Sequence, residues 1–85
     1  MSVEKIGYKQ VTAAPAVVKA TPAGFFGCLC VVAGTVTVRD GTVGGAILFT
    51  KTMAVGESLD FGTVGISCTG IYCDPGAGTF NIHFT

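Results

Sequence analysis

The stretch Phe25–Gly41, FFGCLCVVAGTVTVRDG, constrains the fold more than any other part of the chain. Along an extended backbone Cys28, Cys30 and Val32 fall on one side and Leu29 and Val31 on the other. This first half is therefore apolar on both faces, as a strand in the middle of a core would be. After Ala33-Gly34 the pattern changes: Thr35, Thr37 and Arg39 alternate with Val36 and Val38, the period-2 signature of a half-buried strand. Asp40-Gly41 ends it with a turn dipeptide. The whole reads as a strand, a tight turn and a second strand with one wet face, a central hairpin around which the rest is arranged.

The same alternation recurs on both sides of it. A short strand is expected near Tyr8–Thr12, and AVVKAT, bracketed by Pro15 and Pro22, reads as an edge-type segment because proline removes a ladder donor. In AILFTKT, Ile47 and Phe49 share a face with Lys51; in ESLDFG, Leu59 and Phe61 alternate with Ser58 and Asp60. ISCTGIYCD reads as one long strand in which Gly70 marks a bulge or a close backbone approach. Asp74-Pro75-Gly76 is a turn, and GTFNIHFT is the cleanest amphipathic strand, with Phe80, Ile82 and Phe84 on one face. No segment has the 3.6-residue period of a helix. About seven or eight short strands at intervals of roughly 8–12 residues predict an all-β, antiparallel β-sandwich, jelly-roll-like in style. Its expected core comprises Phe25, Leu29, Val36, Val38, Phe49, Leu59, Phe61, Ile66, Phe80, Ile82 and Phe84. Residues 1–13 are expected to be an N-terminal arm or first strand, and residues 14–85 the sandwich domain.

The chain has 85 residues, of which 49% are hydrophobic and 12% charged, against a usual charged share of about 25%. So small a domain is expected to be unable to hide that much apolar surface, and the excess is expected to face other copies or a large partner. Composition thus points to a homo-oligomer. Five basic and five acidic side chains balance, and no basic stripe carries interleaved aromatics, which argues against nucleic acid. No apolar run reaches the roughly 20 residues that span a bilayer. The start, Met1-Ser2-Val3-Glu4-Lys5, lacks the apolar region of a secretory signal, so synthesis and assembly in a cytoplasm is the expectation.

Chemistry-bearing residues are few. Cys28, Cys30, Cys68 and Cys73 lie in apolar strand-like stretches and favour free buried thiols; a disulfide linking Cys28 or Cys30 to Cys68 or Cys73, and a metal site, are the alternatives. His83, the one histidine, falls opposite Phe80, Ile82 and Phe84 and is expected to face solvent or a neighbour. Asp40 and Asp74 occupy turns, where carboxylates accept backbone hydrogen bonds, and Glu57 and Asp60 have opposite strand parity, a poor arrangement for general acid–base work. The glycine clusters GTVGG and GAG lack a following helix and are not phosphate loops. The expectation is a protein without catalytic, cofactor or metal residues. For partner contact the candidates are Ile6, Tyr8 and Val11 in the arm, and Arg39, which sits on the polar side of its strand beside Asp40 and could bridge a subunit boundary. Tyr72, with Tyr8, is the candidate for a receptor or glycan contact.

From Gly24 to Thr85 the succession GTVTVRDGT, AILFTKT, GESLDFG, GIYCD and GTFNIHFT resembles small all-β structural proteins of tailed bacteriophage virions, among them capsid decoration (cement) proteins. The resemblance implies a β-sandwich that clusters symmetrically, often as a homotrimer, on the capsid surface of the virion. There it would bind the major capsid protein and stabilise the assembled head. Tail or connector components and fibre modules share the same strand and turn chemistry.

Overall fold

The computed structural model describes residues 7–12, 14–61 and 65–85. Among these, nine strands form two antiparallel sheets, and there is no helix. In the first sheet β1 (Gly7–Thr12) pairs with β9 (Thr79–Phe84), and β9 with β3 (Ala23–Val32). The far edge of β3 is covered by two short strands, β6 (Ser58–Asp60) and β7 (Ile66–Cys68). The second sheet has the order β2 (Ala16–Lys19), β8 (Ile71–Asp74), β4 (Gly34–Asp40), β5 (Ile47–Met53).

The pairs are nested. β4–β5 is the innermost hairpin, β3 with β6 and β7 encloses it, β2 with β8 encloses that, and β1 with β9 is outermost. A long hairpin rolled so that successive pairs alternate between two sheets is the jelly roll. The sandwich expected from the sequence is present, with this connectivity.

Two local expectations are corrected by that connectivity. The Phe25–Gly41 stretch is not a hairpin: β3 and β4 belong to different sheets, and Ala33 alone links them. One residue is too short for the two-residue turns that pair neighbouring strands, so the chain crosses between layers instead. ISCTGIYCD is likewise two strands in two sheets, β7 and β8, which part at Thr69-Gly70. Gly70 is there because the backbone crowds it; a Cβ would lie 2.9 Å from the Lys19 carbonyl oxygen and 3.1 Å from Gly41 Cα.

The core forms from the inward faces. Phe25, Cys28, Cys30, Phe80 and Ile82 of the first sheet meet Val36, Val38, Met53, Ile71 and Cys73 of the second, all buried. Burying each large side chain contributes about 1.5–3 kcal/mol. Phe25, Phe49 and Phe61 bridge the layers at one end, with ring centroids 5.3–6.2 Å apart. Leu29, expected in the core, is half-buried on the outer face opposite Asn81, because Cys28 and Cys30 hold the inward parity. Two irregularities, between Phe25 and Gly27 and between Cys30 and Val32, shift the parity of β3, so Phe25 is buried along with Cys28 and Cys30 whereas Val32, expected on their side, is 48% exposed. Gly27 sits at the first with φ 143°, and a Cβ there would run into the Leu59 carbonyl oxygen.

The accessible surface, 4703 Å², matches the roughly 4,700 Å² that size scaling gives a compact monomer of this mass. The folded chain therefore carries no excess total surface. Among the described residues the large apolar side chains left exposed are Tyr8, Val17, Val31, Val32, Val43, Ile47 and Val55.

Candidate interaction faces

Register assigns each outward side chain to a row. On the second sheet Val17, Tyr72, Arg39 and Ile47 stand opposite one another across all four strands. Val17 is 47% exposed and Ile47 52%, and Tyr72 and Arg39 are half-buried between them. Alongside runs Asp74–Thr37–Thr50, and then Thr35–Thr52. The threonines satisfy one another: Thr35 and Thr52 hydroxyls lie 2.8 Å apart, and those of Thr37 and Thr50 3.1 Å.

On the first sheet the rows are Tyr8–His83–Gly27–Asp60 and Gln10–Asn81–Leu29–Ser58. Tyr8 is 68% exposed and meets His83 edge-to-face at 6.4 Å. Gln10 Nε2 donates to Asn81 Oδ1 at 3.1 Å, and the Thr12 and Thr79 hydroxyls lie 2.6 Å apart. Val31 and Val32 are exposed at the end of β3.

The residues singled out in the sequence are thus not brought together. Tyr8 and Arg39 stand on opposite faces of the sandwich. Val11 is 2% exposed and packs in the core opposite Phe80, so its side chain is closed to a partner. Ile6 lies outside the described residues. Residues 7–12 are a strand paired along its length with β9 and not a detached arm. Arg39 and Asp40 do not pair with each other. The Arg39 guanidinium donates to the Gly45 carbonyl oxygen at 3.1 Å, tying down the β4–β5 loop. Asp40 Oδ1 accepts both the Thr69 N–H and the Thr69 hydroxyl at 2.8 Å, which pins the point where β7 parts from β8. Tyr72 is the residue whose importance grows, because β8 places it directly beside Arg39. Only the pairing of β8 with β4 reveals that neighbourhood, and no local signal in the sequence carries it.

The ionisable groups follow their surroundings. Burial pushes the Cys28 thiol from 9.0 up to about 11, with Cys30 adding to it and Lys51 opposing. Burial also pushes Cys73 up to about 12, helped by Cys28 and Asp74. Cys30 and Cys68 are raised as well, first by burial and then by Glu57 and Asp40 respectively. All four cysteines are free and buried. The Cys28 thiol lies 3.8 Å from Met53 Sδ, and the Cys68 thiol donates to the Ala23 carbonyl oxygen at 3.3 Å. Hydrogen bonds from Thr69 hold the Asp40 carboxyl below its usual range. The Ala54 N–H, donated at 2.7 Å, does the same for Glu57, which also pairs with Lys51 at 3.5 Å. Asp74 Oδ1 accepts the Gly76 N–H at 2.9 Å, the turn bond expected of it. Among the described residues no group of three or more His, Cys, Asp or Glu side chains is placed to hold a metal ion.

Comparison with protein-family models, with curated proteins and with solved structures gives no match.

Proposed function

We propose that this chain is a non-enzymatic structural protein of a bacteriophage virion, a decoration or cement protein that binds between subunits of the assembled head. The observation that carries the reading is the exposure of large apolar side chains on both broad faces of one thin sandwich. Tyr8, Val31 and Val32 belong to the first sheet, and Val17 and Ile47 to the second. The Cα envelope measures 39 × 28 × 16 Å, so a neighbour on either side is only one sandwich thickness away. A slab with two contact faces suits a clamp, which stabilises by mass action because it binds the assembled shell and not the loose subunit. Aromatic and Arg side chains such as Tyr8, Tyr72 and Arg39 are the residue types that anchor interfaces. Jelly rolls recur in viral capsid domains, a likeness of fold that adds weight but no site. In this reading the chain is a homo-oligomer, for which the resemblance implies a trimer, and it sits on the capsid surface against the major capsid protein.

The test is to quantify the chain in purified virions and to melt shells with and without it. A copy number that scales with the shell subunits, together with a higher shell melting temperature, is the expected result. A few copies per particle would move it to the tail or connector, and absence from the virion would overturn the reading. A second reading, a receptor- or glycan-binding module, is favoured by one feature: the exposed Tyr8 ring stands among His83, Gln10 and Asn81, an aromatic surface ringed by hydrogen-bonding groups.

A further inference from the structure

We propose that the outer face of the second sheet is a self-association surface on which a second copy of this chain docks by twofold symmetry, Arg39 of each copy meeting the partner's Asp74. This concerns the chain alone in solution and does not rest on the shell reading; the twofold contact stands in place of the trimer that the resemblance implies.

Charge complementarity carries the proposal. The ionic side chains that register places outward on this face are Arg39 and Asp74, of opposite sign on adjacent strands. Asp74 stands opposite Thr37 and Arg39 opposite Tyr72, which makes the two diagonal neighbours about 7–8 Å apart. They form no ion pair with each other. Each has one local bond, Arg39 to the Gly45 carbonyl oxygen and Asp74 from the Gly76 N–H, which leaves further guanidinium donors and carboxylate acceptor sites to spare. A twofold axis lying in the face, midway between them, puts each charge over its opposite in the other copy. Both pairs then form at once, as an isologous contact requires.

The surroundings suit a dry sheet-on-sheet contact. Val17 and Ile47 flank the Tyr72–Arg39 pair in the same row. The threonine hydroxyls on this face already bond to one another, so covering them leaves few unmet hydrogen bonds. The first sheet does not offer the same match: its outward rows carry Asp60 and His83 but no lysine or arginine. Edge-to-edge pairing through β5 is opposed by Lys51, whose charge is held at that edge by Glu57.

The test is sedimentation velocity on the full chain at micromolar concentration, with thermal melts to confirm folding. The expected species has twice the 8.6 kDa chain mass. Arg39→Asp alone and Asp74→Arg alone should each weaken the dimer at least tenfold. An equimolar mixture of the two variants, or both changes in one chain, should recover it, because every contact again joins opposite charges. Should the single variants fail to fold, Val17→Lys probes the same row without touching either charge and should also give monomer. A monomer at every concentration, or an oligomer whose mass ignores the swaps, overturns the proposal. So does a trimer built on heterologous contacts. None of these outcomes bears on whether the chain binds assembled shells.

Discussion

Raising the pH from 8 to 10 should strip this fold of a large part of its stability, and the cause lies in two core thiols. Cys28 and Cys73 are fully buried, and burial raises them from 9.0 to about 11 and about 12. A group whose folded pKa is raised lends stability that is intact below its unfolded pKa and lost as pH climbs toward the folded value. For these thiols the window opens near pH 9. At pH 10 an unfolded thiol of pKa 9.0 is stabilised by ionisation by about 1.4 kcal/mol, while the folded thiols stay protonated. Two of them remove about 3 kcal/mol, a large share of the 5–15 kcal/mol typical of a domain. At about 4–8 °C per kcal/mol, the melting temperature should fall by roughly 12–24 °C. The assay is thermal unfolding followed by circular dichroism at pH 8, 9 and 10, with a non-thiol reductant present. Cys28→Ala and Cys73→Ala should each melt lower at pH 8, yet each should lose its own share, about 1.4 kcal/mol, of the further drop at pH 10, to which Cys30 and Cys68 also contribute. A melting temperature that is flat across this range, or a drop that both variants keep in full, would show that these thiols are not held in the sealed interior described.

Two further perturbations probe the architecture. Gly27→Ala should destabilise by at least about 2 kcal/mol, because L residues are strained at φ 143° and the new methyl meets the Leu59 carbonyl oxygen; an unchanged denaturant midpoint would place the β3 irregularity elsewhere. Removing residues 1–12 should cost the fold and not merely a contact, since it uncovers the edge of β9 and takes Val11 from beside Phe80; a truncated chain that melts within a few degrees of the full one would restore the detached arm.

What could be read from the sequence was what depends on neighbours along the chain. Alternation in TVTVRD and TFNIHF puts Val36, Val38, Phe80 and Ile82 inside, and they are. Turn chemistry at Asp74-Pro75-Gly76 and the free state of the cysteines were equally local matters. The partition of strands between layers was not legible. Parity says which side chains share a face, but a strand–link–strand pattern looks the same whether the second strand pairs with the first or crosses to the opposite sheet. That ambiguity turned β3–β4 into an apparent hairpin and joined β7 to β8. It also hid the candidate face, because Tyr72 and Arg39 are far apart in sequence and meet only through the pairing of β8 with β4.

The nesting also explains how a chain with so few charges keeps most of its lysines off the two faces. Lys9 Nζ reaches from β1 to the Val17 carbonyl oxygen on β2, and Lys19 Nζ from β2 to the Thr85 main-chain oxygen beyond β9. Lys51 of β5 pairs with Glu57 just ahead of β6. Each bond joins one sheet to the other where strands end or edges lie open. Where exposed, as for Lys9 and the Lys51–Glu57 pair, such bonds are individually weak, worth about 0–1 kcal/mol for an ion pair. Their placement matters more than their strength, since a lysine on an edge strand discourages a second chain from adding there. Charge at the seams opposes growth through the edges, and the faces carry the apolar row, the threonines, Arg39 and Asp74 on the second sheet and His83 and Asp60 on the first. Contact with another molecule is thereby directed to the faces, where its partner must match a pattern and not merely extend a ladder.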